Sequence, residues 1–567
     1  MSISREGGLP QVRPVSWLHT TYRAARNSSA APTLVGIVGA ALAIALLLVP
    51  PLPWNIRIPL YLTVLIWTIV RPRISLYLMA FAVPWGSLDF ISLGGLRLDS
   101  ADILVGFLAL GWLLSWALPR SMGGARDRAR GEIPRYLILA IVLFIGVMLL
   151  STTVAISRKD SFKEIFKWLE FIMLVVMGAQ YLRTRKQIWM LVICIVVAAI
   201  TQSFFGYAQA IFDLGPASFI RSFNLRVYGT FDQPNPYAGY LNMALVVTLA
   251  LVLLGKDWLT RSIAGVAACL IGGAFILTQS RGGQIALLAA LTFILLAGMP
   301  RIRMWIRIVI VGLLLVIEGM VSGILPLYLF NQADSFLGLN QISLQDPTPQ
   351  NFSTAERLAH WIAGIHMYLA HPILGVGIGN YPDAYASYYV TIFVNSLGQA
   401  HNYYINIAAE TGTIGLIIYL FFVIAMLVAG GNAVYQLGTR YWQTRQTLPR
   451  HKKPIPAPVG TRNKLILLLH PSRFLRHYRH EERFEIFGRL TNDRALGIGL
   501  MAALITVCVH NLVDDLYDHS LTNLLALLLI ALIRLACLSR GTSSGKQQTI
   551  GSTSATPQAH EMALRTD

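Results

Sequence analysis

The run YLILAIVLFIGVMLL, residues 136–150, decides the fold class, because its fifteen consecutive residues include no charged side chain. Comparable apolar runs occupy residues 33–49 and, with their flanks, residues 306–317. Runs of this kind cross a bilayer as α-helices, which satisfy every backbone hydrogen bond internally. Hydrophobic residues make up 55% of the 567 residues, charged residues make up 13%, and the mean hydropathy is +0.57. This composition excludes a soluble globule and predicts an all-α polytopic transmembrane bundle of about twelve to fourteen spans.

Basic residues alternate between the connections of these spans. When the spans are counted from a cytoplasmic N-terminus, the basic connections fall on one side, as expected for cytoplasmic loops. They are Arg71 with Arg73 and residues 120–135, 183–186, 256–261 and 301–307. The run at residues 33–49 continues into a proline cluster without a clear cleavage site, so we predict an uncleaved signal anchor.

The second half of the chain adds two long polar segments. The predicted organisation is a cytoplasmic segment at 1–31, transmembrane helices at 32–330, a large extracytoplasmic loop at 331–400, a transmembrane helix at 401–429, a basic cytoplasmic loop at 430–494, two last transmembrane helices at 495–538 and a disordered cytoplasmic tail at 539–567. The basic loop is expected to lie on anionic lipid headgroups, and the tail is too polar to form a core.

The net charge of +19 raises the possibility of nucleic-acid binding. Because the charge follows the cytoplasmic loops, orientation in the membrane accounts for it, and no nucleic-acid partner is predicted. The four cysteines all fall in apolar runs, where a free thiol behaves as a small hydrophobe. We predict neither a disulfide nor a zinc site.

The outer loop contains a predicted amphipathic helix. Ser353 and Glu356 have the spacing of a capping box, and Pro372 is expected to end the helix. Its apolar residues recur at helical spacing and predict a helix lying against the outer membrane interface; they are Leu358, Trp361, Ile362, Ile365 and Tyr368.

Polar residues at the mouth of a span are candidates for function, because they are costly in a membrane. The run HNYYINIAAETG begins at His401, and Asn402, Asn406, Glu410 and Thr413 follow at helical spacing as one polar stripe. An imidazole at the outer end of this helix suits a general base at neutral pH. Glu410 lies deeper and is interpreted as a buried structural partner of an arginine or an amide.

Arginines on the outer side form the second group of candidates. Arg221, Arg226, Arg281 and Arg357 are the outward-facing ones, and several guanidinium groups on one face can hold a diphosphate without a metal. Each also has a structural alternative. Arg221 fits a solvated loop charge better, and Arg357 can snorkel from an interfacial helix. Arg281 can be a turn residue held by carbonyls, but at so tight an outer turn a binding role is favoured.

Two further motifs were weighed. His510, Asn511, Asp514, Asp515 and Asp518 cluster in HNLVDDLYDH, which allows a divalent-metal site, although hydrogen-bonded structure is the more common role of such a loop. The run GVGIGNY from Gly375 follows no predicted strand and lacks the third glycine of a dinucleotide fingerprint, so a flexible turn is favoured.

Three further stretches of the sequence carry recognisable motifs. The first combines STAERLAHWIAGIHMYLAHPILGVGIGNY with GQAHNYYINIAAETGTIGL, in which Gly412 follows His401 by eleven positions. The second is RVYGTFDQPNPYAGYL from Arg226, and the third is TQSRGGQIAL around Arg281. Together these stretches resemble the O-antigen ligase and O-antigen polymerase superfamily, with Ile285 where ligases more often have Leu, and the similarity extends from residue 226 to residue 518.

This resemblance implies a GT-C-like, inverting, metal-independent glycosyltransferase without a cofactor. Such enzymes act in the cytoplasmic (inner) membrane, with an extracytoplasmic active site that uses an undecaprenyl-diphosphate-linked glycan and an acceptor lipid or glycan. By the resemblance, His401 would be the base and Arg226, Arg281 and Arg357 would bind the diphosphate. Asn235 and Asn402 would orient sugar hydroxyls or the histidine.

Three functions therefore remain open. A ligase passes a finished glycan to an acceptor, a polymerase extends the glycan on its lipid, and a transporter moves a small solute such as bicarbonate. The sequence shows no convincing inverted repeat, which disfavours transport. No residue identifies the acceptor.

Overall fold

The computed structural model describes most of the chain and divides it into two compact units, residues 1–130 and 131–567. The described residues are 53–88, 90–93, 96–117, 133–221, 224–299, 309, 343–348, 351–447, 471–517 and 520–551. Several predicted features lie outside them, namely the signal anchor at 33–49, all but residue 309 of the run at 306–317, residues 331–342 of the outer loop, residues 448–470 of the basic loop, Asp518 and the tail after residue 551.

Within its described residues, the first unit contains three α-helices and a short hairpin. Helix α1 is Trp54–Val70, α2 is Pro72–Trp85, β1 is Phe90–Leu93, β2 is Leu96–Asp99 and α3 is Ser100–Ala117. The strands pair antiparallel. Asp99 caps the start of α3, because its Oδ1 accepts the backbone N–H groups of Ala101 at 2.8 Å and Asp102 at 3.0 Å.

The second unit is built from long helices joined by short turns. Its elements are α4 (Arg135–Ser151), α5 (Arg158–Tyr181), α6 (Arg185–Phe212), β3 (Ile220–Arg221), β4 (Asn224–Leu225), α7 (Pro234–Leu254), α8 (Trp258–Leu277), α9 (Arg281–Gly298), α10 (Phe352–Ala370), α11 (Tyr381–Tyr385), α12 (Tyr403–Thr447), α13 (Pro471–His510) and α14 (Leu521–Gly551). From residue 413 to Thr447, the apolar part of α12 and the start of the basic segment after residue 430 therefore form one helix.

Seven helices in the described part of the chain are long and apolar enough to cross a membrane. They are α6, α7, α8 and α9, with most of α12 and the apolar parts of α13 and α14. Together with the short two-stranded hairpins, this confirms the prediction of an all-α polytopic membrane protein. The total of twelve to fourteen spans stays a prediction.

Two polar ends can be recognised in the second unit. At the first, which we call the hub end, α13 joins three neighbouring segments. Arg185 Nε contacts Asp493 Oδ2 at 2.7 Å, and Asn492 Oδ1 accepts the Lys256 N–H at 2.8 Å. Arg494 Nη2 donates to Ala297 O at 2.8 Å. These contacts gather the basic connections between the helices at one end.

The other end, which we call the site end, collects the remaining turns. Lys167 Nζ donates to Tyr517 O at 3.3 Å, and Arg226 Nε donates to Thr278 O at 3.0 Å. The turn between α13 and α14 lies at the same end as the turn between α8 and α9, because a Cβ at Gly282 would lie 2.6 Å from Val513 Cγ2.

Helices α7, α13 and α14 form the centre of the second unit. Helix α7 packs mainly against α8 and α13, while α14 packs against α5 and α12. Aromatic rings fill the space beneath the turn between α13 and α14, where Tyr517 lies 4.5 Å from Tyr403 and 5.1 Å from Trp168 between ring centroids. This packing supports the turn from below.

Helix α12 is broken near its start at Gly412, which has φ 66° and ψ −164°. The loop after α10 completes the hydrogen bonds at the break. Thr413 N donates to Pro372 O at 2.8 Å, and Gly377 N donates to Glu410 O at 2.9 Å. Thr413 also donates its hydroxyl to Pro372 O, so the predicted polar stripe does not continue past Glu410.

Helix α10 occupies the predicted place in the outer loop and ends at Ala370, before Pro372. The capping-box prediction was wrong. The helix begins one residue before Ser353, and Asn351 precedes it without a side-chain cap. Its buried face carries mostly small residues such as Ala359 and Ala363, because α10 packs closely on α12. Of the predicted apolar residues, Ile365 is exposed, and four are partly buried, namely Leu358, Trp361, Ile362 and Tyr368.

Gly412→Ala should destabilise the protein. A Cβ there would lie 2.3 Å from the carbonyl carbon of Ile373, and the left-handed backbone alone costs a side-chain residue about 1–3 kcal/mol. Gly438→Ala is the matched control, because Gly438 lies in the same helix with open space around it and alanine favours a helix. Thermal unfolding in detergent should show a lower midpoint for Gly412→Ala only; equal midpoints would contradict the packing at the break.

Candidate functional site

The site end brings together side chains from three separate segments. His401 precedes α12, Arg357 lies in the first turns of α10, and Asp514 lies in the turn between α13 and α14. The carboxylate of Asp514 is the meeting point of the three, because it contacts both other side chains.

The position of His401 is fixed by contacts of its backbone as well as by those of its side chain. His401 has a left-handed φ of 51°, and its carbonyl accepts the Trp361 indole N–H at 3.2 Å. Asn402 caps α12, since its Oδ1 accepts the backbone N–H groups of Tyr404 and Ile405. The left-handed residue is thereby held between α10 and the first turn of α12.

Asn402 also ties this segment to the turn that carries the carboxylate. Its Nδ2 donates to Leu512 O at 2.8 Å, while Tyr403 N donates to Asn511 O at 2.9 Å. The Asn402 side chain is thus engaged by backbone groups, and it orients His401 through the backbone.

The imidazole of His401 is paired with Asp514 on one side only. Nδ1 lies 3.3 Å from Asp514 Oδ1, whereas Nε2 is buried and has no hydrogen-bond partner among the described residues. A charged carboxylate beside Nδ1 assigns the proton of the neutral ring to that nitrogen, which leaves a lone pair on Nε2. His401 therefore has the arrangement of an oriented general base.

Arg357 supports the same carboxylate from α10. Its Nη2 lies 3.6 Å from Asp514 Oδ2, and its side chain is 23% exposed while that of Asp514 is 1% exposed. Because a guanidinium has five N–H donors in a planar fork, this contact leaves others available for a ligand.

Asp514 is held as a carboxylate. Burial alone raises the pKa of the Asp514 carboxyl, but the hydrogen bond and charge of His401 and the charges of Arg357 and His510 lower it more. The resulting pKa lies below the usual range for aspartate, so the negative charge persists at neutral pH.

Arg281 and its neighbours form the adjoining part of the site. Ser280 caps α9 by accepting the Gly283 N–H at 3.3 Å. The next residue, Gly282, lies against the turn between α13 and α14, because a Cβ there would lie 2.6 Å from Val513 Cγ2 and 3.1 Å from the ring of His510. Arg281 is half-buried and makes no hydrogen bond or ion pair with any other described residue.

Arg226 is held against this turn by hydrogen bonds. In addition to its bond to Thr278 O, its Nη2 donates to Asn235 Oδ1 at 3.1 Å. Asn235 therefore orients Arg226. The structure thus divides the predicted residues into a base group around His401 and an arginine turn, defined as Arg226, Asn235, Thr278 and Arg281 with Gly282.

Two other sequence-based interpretations can be placed. Glu410 is buried and accepts the Tyr381 N–H at 3.0 Å, which confirms it as the structural partner of an amide. Arg221 lies in β3, but the placement of its side chain is outside the described part of the structure.

The carboxylates after α13 have protein partners rather than the arrangement of a metal site. Asp515 Oδ1 accepts the Tyr517 N–H at 2.8 Å, and Asp514 is turned to His401 and Arg357. Within the described ranges, which leave out Asp518, no group of three or more His, Cys, Asp or Glu side chains is arranged for a metal. The hydrogen-bonded interpretation of this segment accounts for the geometry.

The sequence indicated Asp514 only as a member of a possible metal cluster, and it did not indicate His360 at all. Asp514 lies 113 positions from His401, and it was only one of three aspartates in a polar run. His360 lies on α10 with its ring 5.4 Å from that of His401 and stacked on Tyr385 at 4.8 Å. The available sequence signal for His360 was its position four residues after Glu356, which places the two side chains on the same face of the predicted helix.

Fold and site together define a polytopic helical membrane protein with a buried, polar, histidine-based site at one end of the bundle. Residues 265–420 match the family model described as O-antigen ligase, which supports assignment of this chain to the O-antigen ligase superfamily. The match contains Arg281, Arg357 and His401, whereas Arg226 and Asp514 lie outside it. It supports glycosyl transfer of the ligase or polymerase type in general terms. Comparison with curated proteins gave no match.

The stability of the protein should depend on pH through His360. Burial, and then the charge of His401, lower the pKa of His360 from 6.5 to about 4. As the pH falls, His360 of the unfolded chain therefore takes up a proton at a higher pH than His360 of the folded protein does. The stability that depends on the neutral ring is complete above pH 6.5 and is lost as the pH falls toward 4.

His360→Gln should consequently show a smaller fall of the unfolding midpoint between pH 6.5 and 4 than the unsubstituted protein. His366→Gln, at an exposed histidine of the same helix, should retain the full fall. Identical profiles for all three proteins, measured by thermal unfolding in detergent, would show that His360 is not the group responsible.

Proposed function

We propose that this protein transfers a glycan from an undecaprenyl-diphosphate carrier to an acceptor hydroxyl at the outer face of the cytoplasmic membrane, as an O-antigen ligase. The observation that carries the proposal is the pairing of His401 Nδ1 with Asp514 Oδ1 at 3.3 Å, with Nε2 left without a protein partner. The family match over residues 265–420 supports the reaction class.

The transfer is a single displacement at the anomeric carbon. His401 Nε2 accepts the proton of the acceptor hydroxyl while its oxygen forms a bond to that carbon. The bond between the anomeric carbon and the diphosphate oxygen breaks, and its electron pair remains on the diphosphate. One displacement inverts the anomeric configuration.

Asp514 makes His401 a better base. It accepts the Nδ1–H and stabilises the imidazolium that forms when Nε2 takes the proton, as carboxylates do in hydrolase triads. Since Asp514 is 1% exposed, water does not compete strongly for this interaction. The Arg357 guanidinium lies 3.6 Å from the second oxygen and adds a positive charge beside the carboxylate.

The arginines carry the negative charge of the leaving group. A diphosphate is already a good leaving group, so guanidinium donors close to it are sufficient to stabilise its developing charge. Arg281 provides a half-buried guanidinium at the start of α9, where the helix dipole also favours an anion. Arg226 lies beside the same turn, and Arg357 contacts Asp514 in the base group.

His401→Gln and Asp514→Asn should each reduce glycan transfer by roughly 10²–10⁴-fold, because one removes the base and the other its orienting charge. Arg281→Ala should also abolish transfer. The assay is transfer from a purified lipid-linked glycan in proteoliposomes, with folding verified by a monodisperse elution profile.

Two exposed residues provide matched controls. His366 lies on the exposed face of α10, and Arg261 lies at the hub end, so His366→Gln and Arg261→Ala should both retain normal transfer. Normal transfer by folded His401→Gln would remove His401 from the mechanism.

Glycan profiling of a deletion strain should separate the ligase from the two alternatives. A ligase predicts accumulation of full-length polymer that is not joined to its acceptor. Single repeat units would instead identify a polymerase, and an unchanged glycan profile would contradict glycosyl transfer altogether.

A further inference from the structure

His510 is a buried histidine whose role in the site is unassigned. It is the last residue of α13 and is 1% exposed. Neither Nδ1 nor Nε2 has a hydrogen-bond partner among the described residues. A buried polar group without a partner is costly, so two such nitrogens on one ring point to a ligand that completes them.

The imidazole lies directly against the arginine turn. A Cβ at Gly282 would lie 3.1 Å from both Nε2 and Cδ2 of His510, so the ring is in contact with the first turn of α9. The helix start offers backbone N–H groups and a partial positive charge, and Arg281 adds a full one. The end of α13 and the start of α9, which follows Ser280 and begins with Arg281, therefore meet at this point.

His510 also lies next to the base group. Asp514 N donates to His510 O at 3.1 Å, and Asp514 and Arg357 are the charged side chains that act on its ring. His401 approaches Asp514 through Oδ1. His510 is therefore placed between Asp514 and the arginine turn, on the side where the leaving group would be bound.

We propose that His510 binds the diphosphate of the glycan donor, donating one ring N–H to a phosphate oxygen next to Arg281. This inference rests on the proposed function, and it names a ligand of the leaving group that the sequence did not. The histidine makes no covalent bond and exchanges no proton in the step. Its hydrogen bond strengthens as the leaving oxygen becomes more negative.

The test is the affinity of the purified protein in nanodiscs for three probes, namely inorganic diphosphate, orthophosphate and undecaprenyl diphosphate. His510→Phe keeps a ring of similar size but removes the donor, and it should weaken diphosphate binding by roughly 10- to 100-fold. His510→Gln retains an N–H donor and should bind diphosphate within a few-fold of the unsubstituted protein. His510→Met replaces the phenylalanine variant if the latter fails to fold.

The control and the probes separate the possible outcomes. His366→Phe makes the same chemical change at an exposed position and should leave diphosphate binding unchanged. Loss of binding for undecaprenyl diphosphate as well as inorganic diphosphate supports a donor site, whereas loss for orthophosphate and inorganic diphosphate only identifies a site for free phosphates and overturns the proposal.

The inference and the proposed function can fail separately. The unsubstituted protein and His401→Gln should bind diphosphate equally, because His401 acts on the acceptor. If both bind it and His510→Phe binds it equally well, His510 only packs against α9 and this inference is wrong, while the transfer mechanism stands. If the unsubstituted protein binds no diphosphate, the proposed donor site and this inference are both wrong.

Discussion

The buried contact between His401 and Asp514 is the interaction on which the site depends. A carboxylate that is 1% exposed is stable only when charge and hydrogen bonds compensate for its lost solvation. Here the compensation comes from His401 before α12 and from Arg357 on α10. The carboxylate can therefore remain charged only while both of these helices are docked on the turn between α13 and α14.

The break in α12 makes this docking possible. At Gly412 the helix leaves its regular path, and the loop from Pro372 to Gly377 enters and bonds to the exposed backbone groups. Glu410 holds the same loop through Tyr381 N. Because that loop continues directly from α10, the buried Glu410 side chain and Gly412 fix the helix that carries Arg357 and His360. We therefore interpret Glu410 as a structural residue that positions the site and takes no part in the reaction.

The positive charges have different functions at the two ends of the second unit. At the hub end, Arg185 of α6 is bound to Asp493 of α13, and Arg494 of α13 is bound to carbonyls at the end of α9, so both arginines join helices. At the site end, Arg281 has no partner within the described ranges, and Arg357 uses only part of its donor capacity. Spare guanidinium donors beside a helix N-terminus are what a diphosphate requires, which is the basis of the proposed donor site.

The sequence by itself determined the fold class, α10, the position of His401 and the arginine candidates. Those features depend on apolar runs, helical periodicity and short motifs, which are local in the chain. Only the tertiary structure decided which aspartate meets His401, since the two lie 113 residues apart and any of three aspartates had suitable chemistry. The tertiary structure also decided that Asn402 bonds to backbone groups and that Asn235 bonds to Arg226. It placed Thr413 outside the polar stripe, at the Gly412 break, and it placed His510 against the arginine turn. Contacts between distant segments are set by helix packing, and a single sequence carries no local signal of that packing.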